Sequence, residues 1–303
     1  MAAAGFEGDL ESVFSSAQVV TGAGMLAGSV AGGLIAQSTN LGVPYLLRAA
    51  ALAVTFLVAW RYMHDWGFTP RPGGRPVREA RTVLHSSLRH GLGNPPVRWM
   101  MLSAPFVQGV VLYAGYAMQP YLLELYGDRR AYGVAGLAAA IFAGAQIAGG
   151  AAASRIRRLF RRRTSALLAG LLASCASLVL LGVTTSFWMA VTLLVAWASL
   201  FAATVPIRQA YLNGLIPSEQ RATVLSFDHL LGSSGGVVIQ PALGRAADAW
   251  SYPASLLAGA AVQLLAAPFV ALARRRRAAS DPIEVPETAV AEPAAALGAE
   301  RAA

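Results

Sequence analysis

The chain contains no lysine, one cysteine and few charges of either sign: 13% of its 303 residues are charged, against 56% apolar. Each shortage excludes something. A soluble domain carries about 25% charged residues, so water is the wrong solvent for this composition. One thiol, Cys175, rules out a disulfide framework and reads as a small packing residue in an apolar run. Runs of apolar and polar residues alternating over about 10 positions are missing, which excludes a membrane β-barrel. No glycine loop of the phosphate-cradling kind occurs, which argues against nucleotide-driven chemistry. No cofactor, no metal and no nucleophile-base constellation follows from the spacing: His64, His85 and His90 share a loop without carboxylate or thiol partners at ligand spacing. The chain is not read as an enzyme. Residues 1–15 lack the basic stretch and apolar core of a cleaved signal peptide.

What remains is long apolar sequence. In hydrocarbon every backbone N–H and C=O must be paired within the protein, and runs of about 20 apolar residues meet that demand as helices. Such windows fall at 16–37, 41–63, 99–122, 131–153, 164–184, 187–206, 223–243 and 253–273. The fold class is therefore all-α, a polytopic membrane protein with about eight transmembrane helices. The net charge of +9 sits in short arginine runs between the spans, a placement that points away from nucleic acid and toward anionic lipid headgroups. With the N-terminus inside, nineteen of those arginines fall on the cytoplasmic side (among them Arg61, Arg155, Arg163, Arg221 and Arg274) and four, Arg48, Arg129, Arg130 and Arg245, on the other. Positive segments are retained inside, so both termini are expected in the cytoplasm and the chain in the cell membrane. The stretch 64–97 is too polar and proline-rich to span, although Val77 to His90 has the pattern of an interfacial helix. The tail 278–303, alanine, proline and glutamate, is expected to be disordered.

Three segments carry more. In the first span TGAGMLAGSVAGGLIAQ sets Gly24, Gly28 and Gly32 on one face, where small residues let helices approach closely. The face serves general packing or a contact between two helical bundles that move past one another. GAAASRIRRLFRRR at 150–163 places a basic turn after small residues, and it is sufficient as a lipid anchor. At 206–248, PIRQAYLNGLIPSEQRATVLSFDHLLGSSGGVVIQPALGRAAD, a span ends in a polar turn and re-enters as a Gly/Ser-rich helix. These features, with MQPYLLELYG at 118–127, resemble the major facilitator superfamily of transporters, and the likeness covers nearly the whole chain as helices five to twelve of a twelve-helix fold. The family's antiporter proline is absent beside Gly28, where Ser29 follows, and the acidic residue of its intracellular loop motif is replaced near Ser154.

The resemblance implies a division into a two-helix remnant of the N-terminal half (1–63), a cytoplasmic loop (64–97), a six-helix C-terminal half (98–277) and the tail. It also implies a permease that moves a small solute by alternating access. Substrate-cavity candidates are then Gln108, Tyr113, Tyr116, Gln146 and Gln240, which can bind a solute or simply hydrogen-bond neighbouring helices. Arg208, Asp228 and His229 are the ionisable groups at the inner ends of their spans, forming an interfacial salt bridge or a cytoplasmic gate. No carboxylate lies at mid-membrane, so no proton-coupling group is legible. Half of such a cavity lies outside residues 1–303, which leaves a late start codon, a gene remnant, or a short protein that self-associates or joins a partner. The rival reading is a non-transporting scaffold or regulatory partner.

Overall fold

A computed structural model describes residues 10–63, 88–128, 130–217 and 220–283. They form helices α1 (Leu10–Ser38), α2 (Gly42–Tyr62), α3 (Pro95–Tyr126), α4 (Tyr132–Arg158), α5 (Arg163–Val183), α6 (Phe187–Asn213), α7 (Arg221–Ala249), α8 (Tyr252–Leu264) and α9 (Ala267–Arg275). The architecture is all-α and polytopic. Among the described residues seven stretches are long and apolar enough to cross a membrane, α8 and α9 together making one of them. With 29 residues α1 has the length of an eighth.

Local chemistry sets the boundaries. α3 starts on Pro95 and Pro96, whose missing N–H groups cost nothing in a first turn, and stops at Gly127, which takes φ 83° and donates to the Leu123 and Glu124 carbonyls. The last span breaks at Leu265 and Ala266 because Pro268 cannot bond the carbonyl four residues back, that of Leu264. Pro105, Pro206 and Pro241 sit inside unbroken helices, as neighbouring helices in a membrane protein allow.

α3 through α9 pack into one body, with α3 along α7, α4 along α6 and α5 along α8. Its core has two layers, one at each end. Tyr113, Tyr121, Leu181, Leu194, Trp197 and Leu256 fill one; Val97, Met100, Met101, Ile207, Tyr211 and Val224 fill the other. Tyr121 ties the first layer together by donating to the Leu181 carbonyl at 2.8 Å.

α1 joins this body through α4. The contact runs through Gly33, where an added Cβ would lie 2.9 Å from the Gly136 Cα, and not through the stripe singled out by spacing: a Cβ on Gly24, Gly28 or Gly32 would meet nothing within 4 Å. Successive residues turn by about 100°, so a shift from Gly32 to Gly33 moves the contact to another face of the helix. α2 meets α1, and none of its span is buried.

The segment after α9 is built into the bundle, which narrows the expected disordered tail. Arg277, at φ 48°, turns the chain back, and residues 278–283 lie beside the start of α5. Asp281, 2% exposed, accepts from the Thr164 N–H at 2.9 Å, and its carbonyl accepts from the Arg163 N–H. The Arg163 guanidinium donates to the carbonyls of Ser280 and Pro282. The proposed interfacial helix at 77–90 falls largely outside the described residues, as do 284–303; Leu88–Leu92 forms a single π turn.

Candidate functional site

Charge is scarce inside this bundle, so the charged pair is the natural starting point. Arg208, in the last turns of α6, faces Asp228, in the second turn of α7, and the two meet as a fork: Nη1 to Oδ2 at 2.6 Å and Nη2 to Oδ1 at 2.7 Å. Nη2 also donates to the Met100 carbonyl of α3 at 3.2 Å. Asp228 is 5% exposed. A bidentate pair of this kind holds its partners in one geometry, and here it fastens three helices of the same body. It is the only ion pair among the described residues. His229, the third residue grouped with it by sequence, is exposed on a different face of α7 and takes no part.

Glycine decides how α7 sits on α3. A Cβ on Gly235 would fall 2.0 Å from the Pro105 carbonyl oxygen, and one on Gly109 would fall 2.8 Å from the Gly235 oxygen. The backbones touch because neither residue has a side chain. Gln108 is half-buried in this seam, its Cβ opposite Gly232.

The remaining cavity candidates part company. Tyr113 is buried and turned into the bundle, where its hydroxyl meets Ser255 Oγ. Ser255 spends its own proton on the Tyr252 carbonyl, so Tyr113 is the donor. Tyr116, one turn on, is 68% exposed. Gln240 is half-buried on α7, and Gln146 lies outside the residues whose side chains are described. Among the described residues, none of the other four lines the cavity beside Arg208.

Two groupings were not foreseen. Along α7, Ser226, His229, Ser233 and Gln240 fall within one face by helical spacing, the first three exposed and Gln240 partly so. A cavity of ≈ 70 Å³ lies within the body, lined by Ser103, Ser174, Thr204, Arg208 and Gln263 among apolar residues. Gln263, 1% exposed, donates to Ser174 Oγ at 2.9 Å and leaves its Oε1 without a partner. Its signal in the sequence was a glutamine in the middle of the last apolar run. Among the described residues no three His, Cys, Asp or Glu side chains gather as a metal would require.

The sequence model of the Major Facilitator Superfamily matches this chain twice, over residues 1–194 and 129–301. The chain belongs to the major facilitator superfamily. Among solved structures, the bacterial homolog to the human lysosomal transporter Spinster, in an inward-facing and unoccupied conformation, aligns with a TM-score of 0.52 at 18% identity. The alignment covers 86% of this chain and 69% of that one. At that identity the likeness is one of fold. No curated protein matches the chain by sequence.

Proposed function

We propose that this superfamily member is a permease that passes a small solute across the membrane by alternating access, without nucleotide hydrolysis. The observation that carries the reading is the polar face of α7, where Ser226, His229 and Ser233 are exposed and Gln240 partly so. Serine, histidine and glutamine along one face of a spanning helix are costly against lipid tails, so that face turns toward water, solute or further protein. In secondary transporters the solute sits at such a surface between two helical halves that rock about it.

In this reading the described helices correspond to helices five to twelve of the fold, and residues 98–277 form one rocking half. The arginine-rich ends and both termini face the cytoplasm, held there by anionic headgroups. Gln108, Tyr116 and Gln240 touch solute. Arg208 and Asp228 keep the inner ends of α3, α6 and α7 together as one moving unit.

The test starts by removing the chain's single thiol, Cys175. In a Cys175→Ala background, Ser233→Cys and Tyr116→Cys are exposed to a membrane-impermeant maleimide in native membranes, beside Leu172→Cys on α5. Fast labelling of the first two with slow labelling of the third is expected; equally slow labelling of all three would end the permease reading.

A second reading, a non-transporting scaffold that gathers partner helices, is favoured by the unburied α2 and the open Gly24, Gly28 and Gly32 face. It requires that cysteines placed on that stripe cross-link between chains while Ser233→Cys stays unlabelled.

A further inference from the structure

The arginine-rich end of the bundle contains a cavity that the permease reading does not use. It opens between α5 and α9, has a volume of ≈ 350 Å³, and is lined by Arg162, Arg274, Arg275 and Arg277 with Leu168 and Ala271. Four guanidinium groups in one cavity repel each other, and among the described residues none has an acidic partner. Asp281, six residues after the end of α9, accepts from the Thr164 N–H through Oδ1, and its buried Oδ2 has no hydrogen-bond partner, so it pairs with none of the four.

Two further observations point to a ligand. Arg277 holds φ 48°, a left-handed conformation that glycine or asparagine adopts far more readily at a helix end. Glycine would terminate α9 with less strain, yet the residue there adds a fourth guanidinium to the cavity. The apolar part of the lining also lies on one side: Leu168 and Ala271 belong to spanning segments, and one turn beyond Leu168 on the same face Leu172 is 47% exposed. Charge at the end of a span and apolar surface leading into it make an amphipathic slot.

We infer that this slot binds the headgroup of an anionic phospholipid, with its phosphate on the arginines and the start of an acyl chain along Leu168 and Leu172. Arginine suits this role because its planar fork bonds two phosphate oxygens at once. Four forks match a lipid with two phosphates better than a lipid with one. Basic pockets between membrane helices hold headgroups of this class. Zwitterionic phosphatidylcholine, with no net charge, leaves the four arginines uncompensated.

The experiment uses the full chain, purified in detergent, stripped of lipid and titrated separately with cardiolipin, phosphatidylglycerol, phosphatidylcholine and inorganic pyrophosphate, with native mass spectrometry as the readout. Retention in the order cardiolipin, phosphatidylglycerol, phosphatidylcholine is expected. Pyrophosphate binding as tightly as cardiolipin would overturn the lipid assignment, since the acyl contact would count for nothing. Each arginine near an anionic surface contributes about fivefold, so Arg162→Gln with Arg274→Gln and Arg275→Gln weakens cardiolipin by about 100-fold. The matched control, Arg61→Gln with Arg89→Gln and Arg221→Gln, removes the same charge elsewhere and leaves retention unchanged; an equal loss in both overturns the site in favour of diffuse attraction. Arg277→Gly guards against a variant that merely unfolds: it raises the lipid-free thermal midpoint while lowering cardiolipin affinity about fivefold. An unchanged affinity in that variant also counts against the slot.

Discussion

At Asp228, substitution by asparagine leaves the Arg208 guanidinium against α3 and α7 with its counter-charge removed and one of its three hydrogen bonds gone. Breaking a buried pair from one side costs about 3 kcal/mol, the lower end of its range because Arg208 is partly exposed. Replacing both members by apolar residues of similar size, Arg208→Met with Asp228→Leu, removes the stranded charge. The expected order of thermal midpoints in detergent is wild type and double variant together, Asp228→Asn well below; a double variant that falls furthest contradicts it. If Asp228→Asn leaves both transport and thiol accessibility unchanged, the gate role for this pair is gone as well. Tyr113→Phe tests the buried hydroxyl: Ser255 keeps its bond to the Tyr252 carbonyl, so the loss is one hydrogen bond, about 1 kcal/mol. The Arg208–Asp228 pair is legible in the sequence, because charges inside apolar spans are few enough to leave little choice of partner. Gln263 was equally visible as a letter, but its fixed place beside Ser174 depends on how α8 lies against α5, which no single helix records.

Between elements, the decisive property is how near two backbones come. Gly235→Leu drives a side chain into Pro105 and parts α7 from α3, with an overpacking cost of about 1–3 kcal/mol. Gly33→Leu does the same to the seam between α1 and α4, whereas Gly28→Leu meets open space and leaves the midpoint unchanged. Proteolysis of the purified protein separates the cases: α1 is released faster in Gly33→Leu and at the wild-type rate in Gly28→Leu. Spacing gave the family of faces on which α1 can pack; the choice among them rests with its neighbour, whose Gly136 stands opposite Gly33 and not Gly28. The clasp at 278–283 escaped the sequence for a different reason. Average composition describes a segment, and one buried carboxylate on the α5 N-terminus outweighs the alanines around it. Asp281→Ala removes that cap and costs about 1 kcal/mol, with Asp281→Asn retaining most of it, as unfolding in detergent reads.

Across the whole molecule, the proposed threading puts the arginine-rich connections on one side of the membrane. A cysteine at Arg161, between α4 and α5, and another at Asp128, between α3 and α4, are expected to react with impermeant reagent from opposite faces of sealed vesicles. Reaction from the same face contradicts the threading. The span count was readable because hydrocarbon thickness sets a length that sequence must meet, about 20 residues at 1.5 Å each. How firmly each span is held was not readable, because hydropathy is the same whether a helix faces lipid or protein. α2 illustrates this, with an apolar run long enough to span and no burial at all. Its thin attachment has a thermodynamic corollary. A calorimeter heating the purified protein would register the cooperative melting of α1 with α3 to α9 and see little of α2, which can come away in a separate, nearly heatless step. Enthalpy per residue, taken over the full polypeptide, would then understate the strength of the part that holds together.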